Sequence, residues 1–234
     1  MKRFWKQVAV AEDESGWRVL LDGRALKTVG GRPQIVPTEA LALAMAEEWA
    51  AQGEEIDPVL FRYRDMADFA IDVMAPDRDE QIADLLRYAE TDTLCYRADP
   101  EDALAARQIE AWEPWLTAAE RRFDVHFERV AGVLHRPQPA ATLGRLRGVL
   151  EARDAFTLAA LKSLASLAGS LTLALLAIEP GADPDALWDA ANLEEDWQAE
   201  LWGKDGEAME RRARRARDWN AAARFAALAA PAQE

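Results

Sequence analysis

The sequence predicts an α+β protein in which a small antiparallel β-rich N-terminal domain precedes a larger all-helical C-terminal domain. Three observations carry this expectation. Short apolar runs divided by turn formers occupy residues 4–36, strand signals nearly vanish beyond about residue 57, and amphipathic patterns punctuated by proline or glycine fill the remainder. The expected boundary therefore separates domain 1–56 from domain 57–234. With 50% of its 234 residues apolar, the chain has enough material for a real core.

The expected strands are residues 4–10, 17–21 and 34–36, separated by Ser15-Gly16, Asp22-Gly23 and Gly30-Gly31. Pro37 and Thr38 set up the first helix: the Thr38 hydroxyl can accept from an unpaired N–H, Leu41, Met45 and Trp49 recur every fourth residue, and Gly53 is the expected stop. This helix should cover one face of the sheet, with Trp49 seating it, so replacing Trp49 should cost stability.

Further helical patterns run over 64–75 and 77–89. The next is expected to open at Asp99-Pro100, a cap followed by proline at the first helical position, and to kink or restart at Pro114. Residues 154–178 form the most apolar pattern, placed at the centre of the helical bundle and ending before Pro180-Gly181. Its uncharged run, 163–178, is shorter than the ~20 residues that span a bilayer and contains Ser163, Ser166, Gly169, Ser170 and Thr172. It reads as a buried core helix, and no stable membrane insertion is expected. The last pattern, 206–230, carries Arg211, Arg212, Arg214, Arg215 and Arg217. Glu207 and Glu210 precede Arg211 and Arg214 by four residues, a spacing that predicts ion pairs along the helix's own surface.

The 42 acidic and 28 basic residues leave a formal charge of −14, which repels phosphate backbones and argues against a nucleic-acid partner. The same field would attract a basic protein surface, or simply keep the chain soluble. A single cysteine, Cys95, excludes an internal disulfide; between Leu94 and Tyr96 it reads as a small buried hydrophobe and fits a reducing compartment. The first residues, Met-Lys-Arg-Phe-Trp-Lys, pass into Val8 and Val10 without the apolar core of a secretory signal, so a cytoplasmic location is expected.

Few catalytic classes fit the inventory. His126 and His135 are the only histidines, so a tetrahedral zinc site would need carboxylate ligands. Gly23-Arg-Ala-Leu-Lys27-Thr28 lacks the glycine that a phosphate loop places before its lysine, and no GxGxxG, GxSxG or HExxH occurs. No cofactor is expected. An acid/base or metal site could still be built from carboxylates, with Asp65, Asp68, Asp72, Glu90 and Asp92 as candidates; the competing reading gives them to helix surfaces and caps.

A different signal lies at 192–207, where acids and tryptophans share one expected helix. Leu193, Trp197 and Leu201 follow at spacings of four and should form a buried stripe, which turns Glu195, Gln198 and Trp202 to the far side. An outward tryptophan beside a carboxylate suits a protein partner, because tryptophan is enriched at interface hot spots. The alternative is that Trp202 packs under the following loop and the acids are solvated.

Read in order, several strings resemble the chaperone family that binds the α subunit of F-type ATP synthase during assembly of its catalytic head. They are RFWKQVAV at 3–10, GWRVLLDGRALKT at 16–28, AEEWAAQGEEIDP at 46–58, YAETDTLCYRADP at 88–100, the set Gln108, Trp112 and Pro114, AGSLTLALL at 168–176 and EEDWQAELWGKDGEA at 194–208. Val29 replaces the family's usual proline, and 59–69 matches its pattern poorly. The resemblance implies a chaperone without catalytic activity, which holds the unassembled α subunit until the β subunit replaces it and is a monomer when free. It also implies partner contacts through Glu194 and Glu195, with Trp197 and Trp202 as support or anchor and Gln198 beside them. The other classes are a small hydrolase or metal enzyme using Asp68, Asp72, Glu90 and Asp92, and a constitutive structural subunit.

Overall fold

The computed structural model describes residues 1–132, 135–203 and 205–231, and its architecture is α+β. Strands β1 (Val8–Asp13), β2 (Gly16–Leu21) and β3 (Arg24–Ala25) form an antiparallel meander in that order, with Val10 opposite Val19 and Leu20 opposite Ala25. Helix α1 (Glu39–Ala50) packs on β1 and β2; the Thr38 hydroxyl accepts from Leu41 N at 3.1 Å and caps it. Leu41, Met45 and Trp49 are buried along its inner face.

The expected strand at 34–36 is not a strand. Val36 makes a single bridge to Trp17, with two 2.8 Å backbone hydrogen bonds, between Pro33 and Pro37. Pro37 has no N–H to donate, so pairing with β2 cannot extend beyond Val36, and Pro33 makes only an isolated bridge to Lys27. Helix α1 also ends before Gly53, at Ala50.

Helix α2 (Arg62–Phe69) runs into a π-helical turn (Ala70–Met74), followed by α3 (Arg78–Glu90). Short β4 (Tyr96–Arg97) pairs in parallel with β5 (Val130–Ala131) across the intervening α4 (Ala103–Phe123). Helix α4 starts at Asp102, whose carboxylate accepts from Leu104 N at 2.8 Å, and not at Asp99. Asp99 instead closes a turn by accepting from Glu101 N. Pro114 does not restart the helix. It removes one backbone hydrogen bond, but Trp112, Leu116, Ala119 and Phe123 continue a single buried stripe past it.

After α5 (Ala140–Glu151) the apolar segment divides into α6 (Ala155–Ala168) and α7 (Leu171–Ala177), where one helix was expected. Gly169 at φ +63° turns the chain and Ser170 caps α7 by accepting from Leu173 N at 3.0 Å. Helices α8 (Pro184–Ala191), α9 (Leu193–Trp202) and α10 (Gly206–Ala229) complete the order.

The chain forms two compact units. The first comprises residues 1–78, 154–160 and 221–234, and the second 79–153 and 161–220. Residue 56 lies inside the first unit, because α2 and its π turn are bonded to the loop after β3. Asp68 accepts from Val29 N and Gln34 Nε2, and Asp72 accepts from Thr28 Oγ1 and Gly30 N. In the same unit, Thr38 Oγ1 donates to the Leu228 carbonyl at 2.5 Å. The centre of the second unit is α7, packed against α4 and α8. Among the described residues, no helix is long and apolar enough to cross a membrane.

Candidate partner-binding site

Helix α9 lies wholly within the second unit and packs on α4. Its first turn holds Glu194, Glu195 and Asp196, where carboxylates meet the positive end of the helix dipole. Five contacts fix its orientation. Glu194 Oε1 accepts from Gln108 Nε2 at 2.7 Å; Gln108 is itself buried, with Oε1 accepting from Ala98 N and its carbonyl from Arg97. Arg107 binds both carboxylate oxygens of Glu200, at 2.5 and 2.8 Å, and its guanidinium lies 5.4 Å from the Trp197 ring centre. On the α10 side, Arg212 pairs with Asp196 and Arg215 with Glu195, the latter at 3.5 Å.

These cross-helix pairs give Arg212 and Arg215 a role that i,i+4 spacing along α10 did not suggest. Arg215 also donates to the Leu167 carbonyl at 2.7 Å and sits over Trp188. Arg107, Glu200 and Gln108 belong to the same frame, a role that the sequence does not assign to them. Their signal in the sequence is weak, since the partners lie 86 to 93 residues apart.

The expected stripe is only partly buried. Leu193 is enclosed and Trp197 is half-buried, but Leu201 is 58% exposed. It lies in the last turn of α9, before Gly203, at φ +93°, redirects the chain. Glu195 and Gln198 are exposed, and Trp202 is 78% exposed, so it does not pack under the following loop. Leu201 and Trp202 thus present apolar surface at the end of a helix that begins with three acids. Two hollows flank α9 and share Asp189 and Asp196. One, of about 430 Å³, lies between α9 and α10; the other, of about 650 Å³, faces α4.

The carboxylates weighed for chemistry do not form one cluster. Asp68 and Asp72 hold the loop after β3 in the first unit, while Asp92 belongs to the second, fully buried, accepting from Leu94 N at 3.1 Å and Thr172 N at 2.9 Å. Desolvation pushes the Asp68 and Asp92 carboxyls above their ordinary range, against the N–H groups that favour their charged forms. Glu90 is exposed at the end of α3. Among the described residues, no three His, Cys, Asp or Glu side chains are grouped to hold a metal ion. Cys95 is buried, and desolvation raises its thiol pKa, so it has the environment of a packing residue.

The family model for the ATP12 chaperone protein matches residues 2–120, about half of the chain. This chain belongs to the ATP12 chaperone family. Its fold is that of the Atp12 crystal structure from Paracoccus denitrificans, with a TM-score of 0.91, 40% identity and 98% of each chain covered. A variant of that protein with one aspartate replaced by lysine superposes equally well. Mitochondrial atp12 of Schizosaccharomyces pombe is 26% identical over 221 residues, covering 89% of this chain and 76% of the relative. The chain is accordingly a chaperone for ATP synthase assembly.

Trp49, expected to seat the first helix, lies between Trp5, edge-on at 5.0 Å, and Phe61 at 4.5 Å. All three are buried in the first unit.

Proposed function

We propose that this chaperone holds the unassembled α subunit of ATP synthase through the exposed side of α9, covers apolar surface that would otherwise aggregate, and yields it when the β subunit arrives. The observation that carries the reading is Trp202, 78% exposed at the end of an acid-led helix in a member of the ATP12 family. A large exposed indole is costly to leave in water and effective when covered, the profile of an interface anchor. Glu195 and Gln198 are the polar contacts beside it. Glu194 and Trp197 support them, since Glu194 is bonded to Gln108 and Trp197 lies against Arg107. Release by competition requires moderate affinity, so the contact should be small and partly electrostatic. In this reading the free chaperone is a monomer and works in the cytoplasm.

The test is a pull-down from native lysate with wild type, Glu195→Lys and Trp202→Ala, each first shown to be folded, with retained proteins identified by mass spectrometry. Retention of ATP synthase α subunit by wild type and its loss in both variants is the expected result. Equal retention by all three moves the site elsewhere, and absence of the α subunit from the wild-type lane removes the client.

A further inference from the structure

The hollow between α9 and α10 has a composition that specifies what it would accept. Trp188, buried beneath it, contributes the floor, and alanines from both helices, Ala199 facing Ala208, Ala213 and Ala216, leave the space open. Met209 lines it and is 53% exposed; an unbranched thioether in that position can adjust to different apolar shapes. At about 430 Å³ the hollow has room for one or two large side chains. Among the described residues, its charged lining is Asp189, Glu195, Asp196 and Asp205 against Arg212. Arg212 is already engaged by Asp196 and, at 3.5 Å, by Asp189; adding Arg215, which meets Glu195, still leaves carboxylates in excess.

An apolar floor under an anionic rim selects a particular segment. We infer that this groove receives one large aliphatic or aromatic side chain of the client, flanked within a helical turn by a lysine or arginine that meets the Glu195 and Asp205 edge. This inference rests on the proposed client and adds the chemistry of the segment held. Charge complementarity singles out this occupant: an acidic segment would be repelled by the rim, and a neutral one would leave its carboxylates desolvated without a cation. The same groove explains why Glu195 would matter to binding although it makes only a 3.5 Å ion pair within the chain. A free cation from the client can compete for it.

Groove-filling variants test the idea without altering charge. Ala213 is exposed on α10 and Ala199 half-buried on α9, so Ala213→Trp and Ala199→Met fill the space from opposite walls. Retention of purified ATP synthase α subunit by the full-length chaperone would be measured for wild type, both filled variants and Glu195→Lys, with thermal melts confirming the fold. The second probe is a set of overlapping 15-residue peptides covering the α subunit. Expected are at least a tenfold loss of α-subunit binding in each folded filled variant and wild-type binding confined to peptides pairing a large apolar residue with Lys or Arg, abolished by Lys→Glu in the peptide. Filled variants that bind like wild type while Glu195→Lys fails would overturn the groove but leave the client standing. Binding of acidic or uncharged peptides would overturn the stated chemistry. A wild type that retains no α subunit would instead sink the client assignment beneath it.

Discussion

Gln108 ties the acidic end of α9 to the buried interior of the second unit, donating from Nε2 to Glu194 Oε1 over 2.7 Å while its other polar atoms serve Ala98 and Arg97. Glu194 and Glu195 are therefore adjacent in sequence but unlike in work. Glu194→Ala would strand a donor on a fully buried residue, and its expected cost is about 1–3 kcal/mol in urea denaturation. Glu195→Lys, on the exposed side, should leave the unfolding midpoint nearly unchanged. Equal stability loss in the two variants would contradict the division.

Asp92 makes a second buried tie, capping α7 through Thr172 N and the turn at 93–95 through Leu94 N. Asp92→Ala deprives both N–H groups of their acceptor, and the expected destabilisation is on the order of 2–5 kcal/mol. Hydrogen exchange should show it first at Thr172 and Leu173. Protection at those amides equal to wild type would show that the cap is dispensable.

Trp49→Ala should cost about 3–5 kcal/mol, since the indole is packed between Trp5 and Phe61. The effect belongs to the first unit, so client retention per folded molecule should not change. Normal stability with lost retention would give Trp49 a role in binding.

Glu48 accepts from Tyr63 N at 2.7 Å and Arg64 N at 2.9 Å at the start of α2, where Phe61 supplies no side-chain cap. Burial nevertheless pushes its carboxyl up to about 7. The unfolded chain releases this proton near 4.5 and the folded protein keeps it to about 7, so stability from the neutral form is complete below pH 4.5 and is lost as pH rises through 7. Relative to Glu48→Gln, wild type should lose on the order of 2 kcal/mol between pH 5 and 7.5. Parallel stability curves for the two proteins would show that the carboxyl titrates normally.

Local chemistry was readable wherever the partner lay within a few residues. Thr38 capping Leu41 N is such a case; the Leu41, Met45 and Trp49 stripe and the Asp22-Gly23 turn were legible from local spacing and residue type, although their packing and hydrogen-bond partners lie farther off. Choices between two plausible local signals were harder. Asp99-Pro100 and Asp102 both resemble helix starts, and only the turn that Asp99 makes separates them. At Gly169-Ser170 the glycine and the cap were visible within an apolar run whose periodicity suggested continuity; the positive φ at Gly169 decided the break. The long-range pairs, Gln108 with Glu194 and Arg107 with Glu200, leave almost no trace in spacing. The outward side of α9 was legible as a helical face, but the exposure of Leu201, on the side expected to be buried, was not.

The first unit draws on residues 221–234 and is fastened there by the hydroxyl of Thr38 on the carbonyl of Leu228. During synthesis the sheet and α1 must therefore wait, with one face incomplete, until the residues around Leu228 have emerged. An assembly chaperone built this way carries an exposed face of its own while it is being made.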